Sequence, residues 1–124
     1  MTPPTDRRYL ESHEWHKADG DTVTLGITQI AADDLTDITF VSLPKVGQAI
    51  TSNARFGEIE SVKATSDLFS GVNGTVVAIN DKLATDPGLV NRDPYGEGWM
   101  IRIKTMDKLD GLLAADEYLK KTGH

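Results

Sequence analysis

Cysteine is missing from this 124-residue chain. That excludes structural disulfides, thiolate metal sites and a cysteine nucleophile, so any sulfur chemistry has to come from an attached group. Long apolar runs are missing as well. No stretch approaches the about 18 apolar residues of a membrane span, and no membrane partner is expected. The opening MTPPTDRRYLES has neither the apolar core of a secretory signal nor the make-up of a transit peptide. The chain is therefore expected to be complete and cytoplasmic. Positive charge is scarce: 13 Lys and Arg against 19 Asp and Glu leave a net charge of −6. An acidic surface repels phosphate backbones, so nucleic acid is not an expected partner.

What is present fits one modest core. Apolar residues make up 39% of the chain, and its length is that of one domain. Alternation dominates the first hundred residues. In T-V-T-L-G-I, from Thr22 to Ile27, Val23, Leu25 and Ile27 share one face. Ile38 to Leu43, Phe56 to Ile59, Gly74 to Ile79 and Trp99 to Ile103 also read as strands, and Glu14 to Lys17 reads as extended. Turns fall at Asp19-Gly20, Pro44 to Gly47, Asn73-Gly74, Asp86-Pro87-Gly88 and Asp93 to Gly96. Short strands at this spacing predict a sandwich or barrel. Two segments read as helical: Thr28 to Leu35, and a C-terminal cover within 106–121 that Gly111 divides and Gly123 stops. One domain over residues 1–124 is expected, as a monomer.

Sites for catalysis by the chain's own groups do not emerge. His13 and His16 sit three apart in an extended segment and point to opposite faces, so they read as surface histidines rather than metal ligands. No G-x-S-x-G elbow is present. Gly96-x-Gly98 precedes a strand, not a helix, and is no phosphate cradle.

The informative stretch is Gly57 to Gly74, G-E-I-E-S-V-K-A-T-S-D-L-F-S-G-V-N-G. Strand-like residues stand on both sides of Lys63, which places Val62-Lys63 at a hairpin tip. A tight turn projects an amine towards a modifying enzyme without disordering it.

Glu60-Ser61-Val62-Lys63-Ala64, followed by Ser66-Asp67, resembles the lipoylation motif of the glycine cleavage H-protein family. The resemblance runs from about Tyr9 to Tyr118. It includes Ser12-His13-Glu14-Trp15, Gly26-Ile27-Thr28, Phe40-Val41-x-Leu43-Pro44-x-Val46-Gly47, and Leu89-Val90-Asn91-x-Asp93-Pro94-Tyr95-Gly96-x-Gly98-Trp99. Three positions depart from the family pattern: Gly71 in place of a usual proline, Thr36 where glycine is common, and His16 in place of an apolar residue.

The resemblance implies a mainly β, lipoyl-domain-like sandwich (a barrel-sandwich hybrid) with a short internal helix and C-terminal helices. It implies a non-catalytic carrier with lipoic acid on Lys63 as an amide. The implied cargo is an aminomethyl group, taken from a pyridoxal-phosphate glycine decarboxylase to a tetrahydrofolate-dependent aminomethyltransferase. Electrons would pass to dihydrolipoamide dehydrogenase, and a lipoate ligase or lipoyl transferase would install the arm. Ser12, Glu14 and Asp67 would line the cleft for the cargo's ammonium, and Glu60 would guide the lipoylating enzyme. Two other roles use the same fold: a relay passing lipoyl groups to other complexes, and an unmodified interaction module.

Overall fold

The structure is a computed structural model that describes residues 2–124. In chain order the elements are β1 (Arg8–Tyr9), β2 (Glu14–Asp19), β3 (Thr22–Ile27), α1 (Gln29–Leu35), β4 (Ile38–Ser42), β5 (Ala49–Ile50) and β6 (Arg55–Ser61). They continue as β7 (Thr65–Phe69), β8 (Gly74–Ile79), α2 (Lys82–Thr85), α3 (Leu89–Arg92), β9 (Ile101–Lys104) and α4 (Ala115–Thr122). Two antiparallel sheets face each other. One has the order β1-β2-β3-β9-β8-β5, the other β4-β6-β7. The mainly β reading and the short internal helix hold.

Alternation decides which side chains meet between the sheets. Val23, Leu25 and Ile27 of β3 are buried as their spacing predicts, beside Ile101 and Ile103 of β9, with Arg102 and Lys104 turned outward. From the other sheet come Val41, Phe56, Ile59 and Leu68. Each fully buried aliphatic side chain contributes about 1.5–3 kcal/mol. A second cluster of Tyr9, Trp15, Ala115 and Tyr118 lies apart, where α4 covers the start of β2. Trp15 is the cross-strand partner of Gly26, and a Cβ on Gly26 would stand 2.7 Å from the indole. Trp15 Nε1 donates to the Pro94 carbonyl at 3.0 Å. Three of the motifs quoted above therefore pack against one another.

The C-terminal cover differs from the sequence reading. Only Ala115–Thr122 is helical, and residues 106–113 form turns. Long-range bonds hold that segment open: Asp107 Oδ2 accepts from Asn73 N at 2.7 Å, and Leu113 exchanges backbone bonds with Tyr9 at 2.8 and 2.9 Å. The helix does stop at Gly123, with φ 80°. The last strand begins at Ile101 rather than Trp99, and two helical turns, α2 and α3, stand on either side of the turn read at Asp86-Pro87-Gly88. His13 and His16 are corrected too. His16 is fully buried and His13 half-buried, because β2 is an inner strand covered on both faces at its start. No helix among the described residues is long and apolar enough to cross a membrane.

α1 begins at Thr28, whose hydroxyl accepts from Ala31 N at 3.3 Å, and buries Ala31, Ala32 and Leu35. It ends at Thr36, with φ 63° and ψ −144°, a conformation that suits glycine and strains any β-branched residue. Asn91 of α3 enforces it, donating to Thr36 O at 2.7 Å and accepting from Ile38 N at 3.0 Å. Thr36→Gly is expected to raise stability by about 1 kcal/mol, the relief of strain outweighing the glycine's extra chain entropy. Thermal unfolding checks this, and an unchanged or lower midpoint contradicts it.

Candidate functional site

In the β6–β7 hairpin, sequence and topology both isolate one lysine. Glu60 pairs with Thr65, leaving Ser61 to Ala64 as the turn. Ser61 builds it: its hydroxyl accepts from Lys63 N at 3.1 Å and Ala64 N at 3.0 Å, and its own N–H donates to Ala64 O at 2.8 Å. The tip is also tethered to the end of α1. Val62 N donates to Asp37 O at 3.0 Å, and Lys63 Nζ donates to Asp34 O at 3.0 Å. Lys63 is thus exposed on a backbone held at both ends.

Beside Lys63 opens a cleft of about 260 Å³. Ile27, Ala31, Leu35, Ile59 and Leu68 give it apolar walls, and Ser12, His13, Glu14, Asp34, Ser66 and Asp67 give it polar ones. The three residues expected to receive an ammonium, Ser12, Glu14 and Asp67, do meet in one cavity with Lys63. Glu60 does not line it. It stands half-buried on β6, three residues before the lysine.

The two carboxylates differ sharply. Asp67 is half exposed and already holds Arg55 Nε at 2.8 Å, in an exposed trio with Glu58. Such pairs contribute little. Glu14 is 1% exposed. Its Oε1 accepts from Ser12 Oγ at 2.5 Å and its Oε2 from Phe69 N at 2.9 Å. Burial pushes its carboxyl up to about 7, and the two donors only partly oppose that. Two residues on, His16 accepts from Gly71 N at 2.9 Å through Nε2, leaving Nδ1 buried without a partner. Burial pushes its imidazole down to about 4. His13, the third residue of this strip, sets its Nδ1 2.5 Å from the Tyr118 hydroxyl. Reading His13 and His16 as surface residues missed both roles. The one available signal was position: they flank Glu14, which the resemblance assigned to a cleft.

These shifts set opposed pH dependences. Glu14 binds its proton more tightly when folded, so its contribution is present at low pH and lost as pH rises from 4.5 to about 7. His16 binds its proton less tightly when folded, so its contribution is present above 6.5 and lost as pH falls towards 4. Between those limits the two slopes cancel. The unfolding midpoint of wild type minus that of Glu14→Gln is expected to widen as pH falls from 7 to 5. The same difference for His16→Leu is expected to narrow as pH falls from 6.5 to 4.5. Each drift amounts to at most about 2 kcal/mol. Parallel curves for both variants contradict the assignment.

Comparison with known proteins adds a family to this geometry. A family model described as glycine cleavage H-protein matches residues 7–124. The probable glycine cleavage system H protein of Natronomonas pharaonis is 55% identical over 116 residues, spanning 93% of this chain and 92% of that one. The glycine cleavage system H protein of Bacillus pumilus is 44% identical over 124 residues, spanning 98% of each. The crystal structure of a glycine cleavage system H protein from Mycobacterium marinum superposes with a TM-score of 0.91 at 38% identity, covering 98% of this chain and 100% of that one.

Proposed function

The chain belongs to the glycine cleavage H-protein family, and from that premise we propose that Lys63 is the lysine that carries the lipoyl group. The protein is the lipoyl-bearing shuttle of a glycine cleavage system, a carrier that works with that system's other components. The observation behind the choice of Lys63 is its place: a tethered hairpin tip that opens onto a cleft with a buried carboxylate. The proposal extends to one lipoyl-carrier domain over residues 1–124, monomeric, cytoplasmic and without catalysis of its own.

The residues suit such a group. When bound, a lipoyl group supplies a dithiolane on a flexible arm, able to take up an aminomethyl cargo and a pair of electrons. Lys63 gives up its charge on forming the amide, and Nζ, which donates to Asp34 O at 3.0 Å in the free lysine, keeps one N–H. The cleft's apolar walls suit the hydrocarbon part of the arm. Glu14, Ser12 and Asp67 offer acceptors to the cargo's ammonium, which is costly to bury unpaired. Glu14 keeps the amine protonated. Because only the neutral amine can expel the sulfur, this slows loss of the cargo to water. The proposed partners are the pyridoxal-phosphate glycine decarboxylase, the tetrahydrofolate-dependent aminomethyltransferase, dihydrolipoamide dehydrogenase and a lipoate ligase or lipoyl transferase. Glu60, outside the cleft yet close to the lysine, is free to meet the lipoylating enzyme.

Two outcomes are expected. Protein from lipoate-fed cells carries one lipoyl adduct, found by tandem mass spectrometry on Lys63 and lost in Lys63→Arg, with stability unchanged within about 0.5 kcal/mol. An adduct on another lysine with Lys63 free overturns the assignment. Loaded with aminomethyl groups and kept from the transferase, Glu14→Gln releases formaldehyde and ammonia about tenfold faster than wild type, and Asp67→Asn less than that. Release as slow as wild type in both variants returns these residues to a surface role.

A further inference from the structure

His13 has no part in the reading above, yet it lines the same cleft and its backbone is strained. Its φ is 84°, a left-handed conformation that non-glycine residues seldom adopt. Two backbone bonds hold it there: His13 N donates to Leu10 O at 3.0 Å, and His13 O accepts from Thr28 N at 3.0 Å. Strain of this kind persists where the surroundings dictate it, and it concentrates at working sites.

A chain of hydroxyls fixes the proton on the ring. Thr28 and Tyr118 are both fully buried. Thr28 Oγ1 accepts from Ala31 N and lies 2.7 Å from Tyr118 Oη, which lies 2.5 Å from His13 Nδ1. Among the described residues the Thr28 hydroxyl proton has one acceptor, Tyr118 Oη. Tyr118 then has one acceptor left for its own proton, His13 Nδ1. The opposite direction would strand the Thr28 proton in a buried site without a partner, which is the costly alternative. Nδ1 is therefore the acceptor, and the neutral ring carries its proton on Nε2. That nitrogen has no hydrogen-bond partner among the described residues and is not a buried orphan. Tyr118 itself is immobilised by stacking on Tyr9, with centroids 5.0 Å apart.

We propose that His13 is a positioning residue of the cleft, locked as the Nε2–H tautomer by the Thr28–Tyr118 relay so that it offers one N–H donor to the sulfur end of the arm on Lys63. The rest of the polar lining consists chiefly of acceptors suited to an ammonium: Glu14, Asp67, Asp34 and the Ser12 oxygen. The sulfur that bears the cargo has no proton to donate, so it acts only as an acceptor and gains nothing from carboxylates. A neutral donor fixed between Ser12 and Glu14 is the complementary group. The inference rests on Lys63 being the lipoylated residue.

The test has two arms. In the ring ¹⁵N spectrum of the full-length chain, His13 is expected as the Nε2–H tautomer. His16, whose Nε2 accepts from Gly71 N, is expected as the opposite one, an internal control. Tyr118→Phe should release the lock and leave His13 as a mixture of tautomers. A wild-type His13 protonated on Nδ1 overturns the proposal. The second arm compares His13→Gln, whose amide nitrogen reaches the place of Nε2, with His13→Asn, whose amide reaches only the place of Nδ1. Aminomethyl release without transferase is expected to quicken about three- to fivefold in His13→Asn and to stay within about twofold in His13→Gln. Thermal stability should rank the other way, because asparagine tolerates the left-handed backbone better. If release follows stability, with His13→Asn the more retentive, His13 serves the backbone alone and the proposal fails. Intact mass is read first: a chain without any lipoyl adduct refutes the parent reading, whatever the tautomer.

Discussion

Two side-chain-to-backbone bonds join the halves of this protein. Glu14 and His16, two residues apart on β2, accept from the amides of Phe69 and Gly71, two residues apart at the end of β7 and just beyond it. The matched spacing follows from strand geometry: alternate residues share a face, and alternate amides point the same way. The six-stranded sheet thereby grips the hairpin that ends in Lys63. Everything at the site depends on that grip. The cleft lies where the two sheets meet, with Ser12 to Glu14 on one side and Ser66 to Leu68 on the other. A titratable pair is an unusual choice for such a join, since both groups are costly to bury charged. Glu14 answers with a raised proton affinity, His16 with a lowered one, and folding keeps both close to neutral at mildly acidic pH.

Two departures from the family pattern explain each other here. His16 stands where an apolar residue is usual, and Gly71 where proline is usual. A buried imidazole nitrogen needs a donor, and proline has none to give. Glycine supplies the N–H and also the room, since a Cβ at that position would stand 2.8 Å from Leu112. Exchanging one without the other leaves either an orphaned amide or an orphaned ring nitrogen. The third departure, Thr36, has no such partner in chemistry. It sits in a glycine-like conformation because Asn91 holds its carbonyl, and the cost is borne locally.

Much of the fold was legible because alternation is a local signal. Val23, Leu25 and Ile27 announced both a strand and its buried face, and the residues around Lys63 announced a hairpin. What alternation cannot tell is whether the second face of a strand is also covered. His13 and His16 were for that reason read as exposed, when α4 and the β7–β8 connection cover them. Residues 106–113 failed for a related reason. Leu109, Leu112 and Leu113 suggest a helix, but Asn73 and Tyr9, far away in sequence, claim the segment's hydrogen bonds. At the site, Ser12, Glu14 and Asp67 came from the resemblance alone, because nothing local says that residues more than fifty positions apart share a cavity. Tyr118 was legible only as an apolar helix position. Its hydroxyl, which does the more specific work, matters only once Thr28 and His13 are beside it.

Glu14 and Asp67 differ in what already balances their charge. Near neutral pH the buried Glu14 is divided between its protonated and ionised forms, whereas Asp67 already has Arg55 as its counter-ion. An ammonium entering the cleft would act on the two differently. Beside Glu14 it supplies the missing opposite charge, favours the ionised carboxylate and drives a proton off. Beside Asp67 it competes with a guanidinium in water, where the gain is small. On the proposed reading, selectivity for a cationic cargo over a neutral arm rests mainly on the buried Glu14, because Asp67 is already paired with Arg55. Glu14 is also one of the two groups joining the sheets. On that reading, loading the cleft ionises a group that the fold itself favours in the protonated form, so cargo and fold pull Glu14 in opposite directions.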